Sequence, residues 1–304
     1  PLTLLDYTGT PDWQVRQFDP PLDFGPIAFG AGNETQAYPG RFGGRSRMNI
    51  GYWDAGTGNL NFIAGNGVRS LHLPGDWTTT FHLPIPGDYD GDGITDLAMA
   101  FLGHVGVDQR FLARILFSRN NALRDFFIDP RTIEPAVFTS ADIGFGAGQD
   151  VFRRGRDEIT LYARDVSNNL RLMQLLFTRD GFLEAAFSGP SWGIPGDRMV
   201  LGNWVNGSGG NHFGMMVVRA TMGQLEWYLF PNATPTVFGA STDLPLSIHV
   251  DHDRVNDIAI YRPSDQMLYA IRSSDGQQVS FGPFGSVNTI PLANILGTTA
   301  PLAF

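Results

Sequence analysis

The 304-residue chain has no cysteine and no lysine: its 21 basic residues are all arginine, and against 30 acidic residues they leave a formal net charge of −9. These absences exclude a disulfide scaffold, a thiolate metal site, Schiff-base chemistry and a phosphate-loop NTPase, and an acidic chain without a long basic stretch is a poor partner for nucleic acid. A hydrophobic fraction of 42% with 23 Phe supports a large core rather than disorder, and no run of about 18 apolar residues is present to span a membrane.

The chain opens at Pro1 with neither Met nor an apolar leader, which predicts a processed N-terminus from which an export signal has been removed. From there one unit recurs: an apolar strand, a Gly/Asp-rich turn, then an alternating strand. PLTLL at residues 1–5 reads as the second half of a unit. AYPGRFGGRSRMNIGYW follows at 37–53, and the fullest copy, LPIPGDYDGDGITDLAMAF, at 83–101. Weaker copies lie at 148–164 and 201–219. A second good one, LPLSIHVDHDRVNDIAIYRP, spans 244–263, and IPLANILGTTAPLAF closes the chain from 290. Later strands of the units carry aromatic or large apolar residues, as at Trp13, Phe111, Trp227 and Tyr269. Several units end in Phe-Gly, as at Phe29-Gly30, Phe238-Gly239 and Phe281-Gly282.

The residues preceding each alternating strand are Pro1, Asn49, Asp96, Glu158, His212, Asp257 and Pro301, at intervals of 48, 47, 62, 54, 45 and 44. Repeats of this length with several short strands each indicate propeller blades. The expectation is therefore an all-β chain, residues 1–304 forming a single propeller domain. It has six four-stranded antiparallel blades, with seven as the alternative. Residues 290–295 supply the missing first strand of the N-terminal blade and so close the ring. The terminal segment 301–304 is then a spare strand, either frayed or free to pair with a partner. The longer intervals place extra loops at 103–109 and 187–196.

The chemistry concentrates in residues 86–96, PGDYDGDGITD. Asp88, Asp90 and Asp92 stand at positions 1, 3 and 5 of an oxygen cage, the Ile94 carbonyl at position 7 and Asp96 at position 9. Such a donor set suits a hard cation such as Ca2+. Four carboxylates this close repel one another unless a cation offsets them. An EF-hand is excluded, because Met99 stands where that motif needs a bidentate Glu. The other copies have lost parts of the cage. Arg41, Arg45 and Asn49 replace carboxylates in the first. Arg153, Arg154 and Arg156 fill the loop at 148–164. At 244–263, Asp251, Asp253 and Asp257 remain as a degenerate second metal loop, with His249 in the first carboxylate position and Arg254 in the glycine position. One Ca2+ site is expected, with the Arg254 guanidinium partly replacing a cation in the degenerate loop.

The loop PGDYDGDGITDLAMAF, the stretch DIAIYRP at 257–263 and the Phe-Gly endings resemble the FG-GAP/VCBS-type repeats of secreted bacterial propellers. They are similar in kind to the calcium-loop blades of integrin α-subunits and of some propeller lectins. The resemblance implies an extracellular or cell-surface protein acting in adhesion, carbohydrate binding or scaffolding.

A non-enzymatic, calcium-stabilised binding or scaffolding module is the leading expectation, as an accessory subunit of a surface assembly or through self-association. Its partner is a protein or glycan at the cell surface. A carbohydrate-binding propeller is the alternative. Trp77, Trp192 and Trp204, in Gly-rich turns, are its candidate stacking residues, though they do not recur at a fixed offset. A hydrolase or lyase acting on a polysaccharide ranks lowest: the six histidines show no metal-ligand spacing, and no nucleophile-elbow motif occurs.

Overall fold

The computed structural model describes residues 2–6, 12–18, 21–28, 35–38, 40–42, 49–54, 56–64, 67–72, 83–105, 108–128, 144–149, 155–202, 204, 215–251, 253, 255–283 and 289–291. All the regular elements among them are β-strands. Among the described residues no helix is long and apolar enough to cross a membrane.

In chain order the strands are β1 (Leu2–Asp6), β2 (Asp12–Phe18), β3 (Pro21–Ala28), β4 (Thr35–Ala37), β5 (Gly51–Asp54), β6 (Asn59–Ala64), β7 (Gly67–His72), β8 (Leu83–Pro84), β9 (Leu97–Val105), β10 (Asp108–Leu116), β11 (Leu123–Ile128) and β12 (Gly144–Gln149). They continue with β13 (Glu158–Arg164), β14 (Leu170–Phe177), β15 (Leu183–Ser191), β16 (Arg198–Leu201), β17 (Met215–Thr221), β18 (Gln224–Leu229), β19 (Thr236–Ala240), β20 (Leu244–Ile248), β21 (Asp257–Arg262), β22 (Met267–Ile271), β23 (Gln278–Phe281) and β24 (Thr289–Pro291). Each pairs antiparallel with its neighbours. The ladders are β24–β1–β2–β3, β4–β7, β8–β11, β12–β15, β16–β19 and β20–β23. In the first, Leu4, Leu5 and Asp6 pair with Pro291, Ile290 and Thr289, so a strand from the far end of the sequence completes the N-terminal sheet.

The blade count corrects the sequence expectation. The structure has the small antiparallel blades of a propeller, but it counts five blades of three to four strands, not six or seven. Strand pairing alone separates six ladders, and three of them are completed by strands of only two or three residues, β4, β8 and β24. The ladders give the strand register that places the site. The two expected loops are corrected in part: residues 103–105 and 108–109 extend the hairpin of β9 and β10, and residues 187–191 belong to β15, while residues 192–196 form a loop as expected.

The chain divides into two compact units. One comprises Pro1–Asn33 with Gly196–Phe304, the other Glu34–Pro195. The terminal segment 301–304, the landmark His212, Trp77, Arg153, Arg154 and Arg254 lie outside the described residues.

In the Glu34–Pro195 unit, sheets pack face to face. Tyr38, Trp53, Leu60 and Phe62 form one buried cluster with Leu97 and Met99 of β9. On the far side, Tyr89 and Phe126 meet Phe177 of β14 with ring centroids 5.7 and 4.9 Å apart. Central strands are therefore buried on both faces, and β13 and β14 lose the simple alternation of a half-exposed strand. The outer strand β7 is exposed along its whole length. Burying each large apolar side chain contributes roughly 1.5–3 kcal/mol.

In the other unit a polar clasp repeats. Asp197, just before β16, holds Arg219 of β17 through two bonds of 2.8 and 2.9 Å, and that guanidinium lies 4.7 Å from the Tyr228 ring centroid. Asp243, just before β20, holds Arg262 of β21 at 3.0 and 2.8 Å, with Tyr269 likewise 4.7 Å away. Asp197 and Asp243 are buried.

Candidate metal centre

Residues 87–96 leave the sheet after β8 and return at β9, and the loop is closed by a bridge between Gly87 and Asp96. Inside it the aspartates organise the backbone. Asp88 accepts the N–H groups of Asp92 (3.0 Å) and Gly93 (2.8 Å), and Asp90 that of Asp92 (3.0 Å). Asp96 accepts those of Tyr89 (2.8 Å) and Ser118 (2.7 Å). These short Asx turns curl the chain around its own carboxylates.

The result is convergence. Asp88, Asp90 and Asp96 each place one oxygen within 4.8 Å of the others. Asp90 and Asp96 are fully buried. At an effective dielectric near 20, each like-charged pair at that separation costs about 3 kcal/mol. Among the described residues Arg119 is the arginine paired with the cluster: its Nε lies 3.9 Å from Asp90 and its side chain is 37% exposed, too far and too solvated to offset the cluster. Burial first, then neighbouring carboxylates, pushes the Asp88 and Asp90 carboxyls above their usual range. Burial carries Asp96 up to about 8.

The donor set fits a hard divalent cation. Oxygens that share one Ca2+ at roughly 2.3–2.6 Å lie at most about 5 Å apart, as these three do. Ser118, part-buried beside the cluster, donates its N–H to Asp96 at 2.7 Å, and its hydroxyl also helps to stabilise that carboxylate. Asp92 stands apart from the converging group, its Oδ1 accepting the Ile94 N–H at 2.7 Å. Ile94 is half-buried at the turn.

Three interactions that the sequence reading missed tie this loop to its neighbours. Asp157, before β13, accepts the Asp88 N–H at 2.7 Å and donates its own N–H to the Asp88 carbonyl at 2.8 Å. On the other side, Thr95 donates its N–H to the Arg41 carbonyl (3.2 Å) and accepts the Arg41 N–H on its hydroxyl (2.8 Å). Gly91, at φ +73°, packs so closely on Arg156 that a Cβ there would sit 2.4 Å from Arg156 Cγ. Only Ser118 had a sequence signal: it and Ser273 both stand two residues past the end of the second strand after a good loop, β10 and β22.

In the degenerate loops the corresponding side chains are engaged by donors and acceptors of the chain itself. Asn49 stands in the place of Asp96, accepting the Phe42 N–H at 3.0 Å and donating its amide to the Ile63 carbonyl at 2.8 Å. In the loop before β21, Asp257 keeps its framework role, accepting the N–H groups of Val250 (2.6 Å) and Ser273 (2.7 Å). Asp251 and Asp253 are taken by hydroxyls: Ser274 donates to Asp251 and Ser273 to Asp253, both at 2.7 Å. Burial pushes the Asp253 carboxyl up, but the Ser273 hydroxyl and the Val255 N–H together hold it below its usual range. Among the described residues, Asp251, Asp253 and Asp257 do not form a converging group like that of Asp88, Asp90 and Asp96.

Of the candidate stacking residues, Trp204 is corrected to a core position. It is 7% exposed, packed with Val200, Met216 and Trp227, and its indole N–H donates to the Val200 carbonyl. A ring so enclosed has no face to offer a sugar. Trp192 is half-buried, its backbone N–H donating to Leu170.

Compared with protein-family models and with curated proteins, the chain matches none. The FG-GAP/VCBS resemblance therefore rests on the loop and the blade endings themselves.

Proposed function

We propose that this chain is a non-enzymatic propeller, stabilised by one Ca2+ ion held by Asp88, Asp90 and Asp96, that presents a protein-binding or scaffolding surface outside the cell. The observation that carries the reading is the convergence of three carboxylates, two of them fully buried, in a loop bonded to the sheets on either side. In this reading the cation organises structure. The loop's carboxylates converge on one point and the loop is bonded to the sheets on either side, an arrangement suited to a structural ion. Extracellular calcium modules bind the ion at about 10⁻⁴–10⁻³ M, a range suited to such a site. A glycan-binding role is the weaker reading, since Trp204 serves the core.

Two measurements test this. In thermal melts of the full chain, calcium at about 100 times its Kd should add about 2.7 kcal/mol, a rise in midpoint of about 4 °C for a chain of this size. An unchanged midpoint between calcium and chelator contradicts the cation site. The calcium-loaded chain should also retain a protein partner, or self-associate by mass photometry, without turning over polysaccharides. Turnover of a polysaccharide overturns the non-enzymatic reading, and retention on a glycan panel alone returns the lectin.

A further inference from the structure

We infer that the two loops divide the molecule into a cation-dependent half and a cation-independent half. This deepens the metal-site reading above and rests on it. The loop of residues 87–96 is the tie between three sheets of the Glu34–Pro195 unit. Asp88 uses its backbone to hold Asp157 and its carboxylate to build the cage, so the residue that docks the next sheet is also a cation ligand. Thr95, next to Asp96, docks Arg41, and the Tyr38 hydroxyl accepts the Ala98 N–H (2.6 Å) and bonds the Asp96 carbonyl (3.1 Å). Without a cation the loop opens to separate its charges, and those docking bonds open with it.

The equivalent loop of the other unit has no such requirement. Its residues align with residues 83–101 without a gap, yet Ser273 and Ser274 donate hydroxyls to Asp253 and Asp251, and His249 replaces the carboxylate that Asp88 supplies. The His249 ring nitrogen is itself engaged with the Val255 carbonyl at 2.9 Å. This loop is packed against the sheet before it: a Cβ on Gly202 would sit 2.4 Å from Ser247 Oγ and 2.9 Å from Asn256. Neutral donors fixed in the chain do here what the ion does in residues 87–96. Removing calcium thus loosens Glu34–Pro195 and leaves the sheets β16–β19 and β20–β23 closed.

Hydrogen exchange of the full chain, in calcium and in chelator, tests this. At calcium about 100 times Kd, exchange in 36–42, 87–96 and 155–158 should slow by about 100-fold where opening requires loss of the ion. Segments 198–202 and 247–257 should be unchanged. Asp90→Asn should erase the calcium effect in all three responsive segments, and Ser273→Ala should speed exchange in 247–257 equally with and without calcium. If the chain binds one calcium but protects only 87–96, or protects 247–257 as well, the division is wrong while the site stands. If no calcium binds and no segment responds, the site reading itself fails.

Discussion

Asp90 and Asp92 are two residues apart in one acidic loop, yet they carry different work. Asp90 is fully buried and converges with Asp88 and Asp96, whereas Asp92 is half-buried and spends an oxygen on the Ile94 N–H. Affinity follows the charge of the converging ligands. Asp90→Asn should therefore weaken calcium binding by about 100-fold or more, and Asp92→Asn by about tenfold or less. Equal losses in isothermal titration would show that Asp92 belongs to the cage after all. Gly91 makes a second residue-level prediction. Its φ of +73° and its contact with Arg156 leave no place for a methyl group. Gly91→Ala should cost about 1–3 kcal/mol in urea unfolding, and an unshifted midpoint would mean that the loop is not pressed against Arg156.

At the level of strands, the clasps before β16 and β20 fix how the first strand of each sheet meets the second. Each buries one carboxylate against a forked guanidinium that also covers a tyrosine. Arg262→Ala should destabilise the protein by about 2–4 kcal/mol, because Asp243 is left buried without its partner. Arg262→Lys should recover little, since an ammonium cannot make the paired bonds or lie flat on Tyr269. Full recovery by lysine would reduce the clasp to simple charge. The strands themselves were legible in sequence wherever one unit recurs with a Gly-rich turn: β9 and β21 begin where the spacing of Asp96 and Asp257 puts them. The clasps were not, because Asp197 and Arg219 are 22 residues apart in sequence and meet only through strand register. Nor did Trp204 announce its burial. Its Gly-rich surroundings read as an exposed turn, while contacts from two sheets enclose the ring.

At the scale of the whole molecule, repeat arithmetic recovered the all-β propeller class but miscounted its blades. It took each of the six intervals between landmarks as one blade, and the length of an interval does not carry which strands pair into a blade. The acidic loop stood out in the sequence, and three of its expected donors, Asp88, Asp90 and Asp96, do converge; that Asp157 and Arg41 bind the loop from either side could not be read there, because both lie far away in the chain. The decisive measurement is the calcium stoichiometry of the metal-free full chain by isothermal titration. One ion per chain, lost in Asp90→Asn and retained in Asp253→Asn, is the predicted result. No binding, or a second equivalent that disappears in Asp253→Asn, would contradict it.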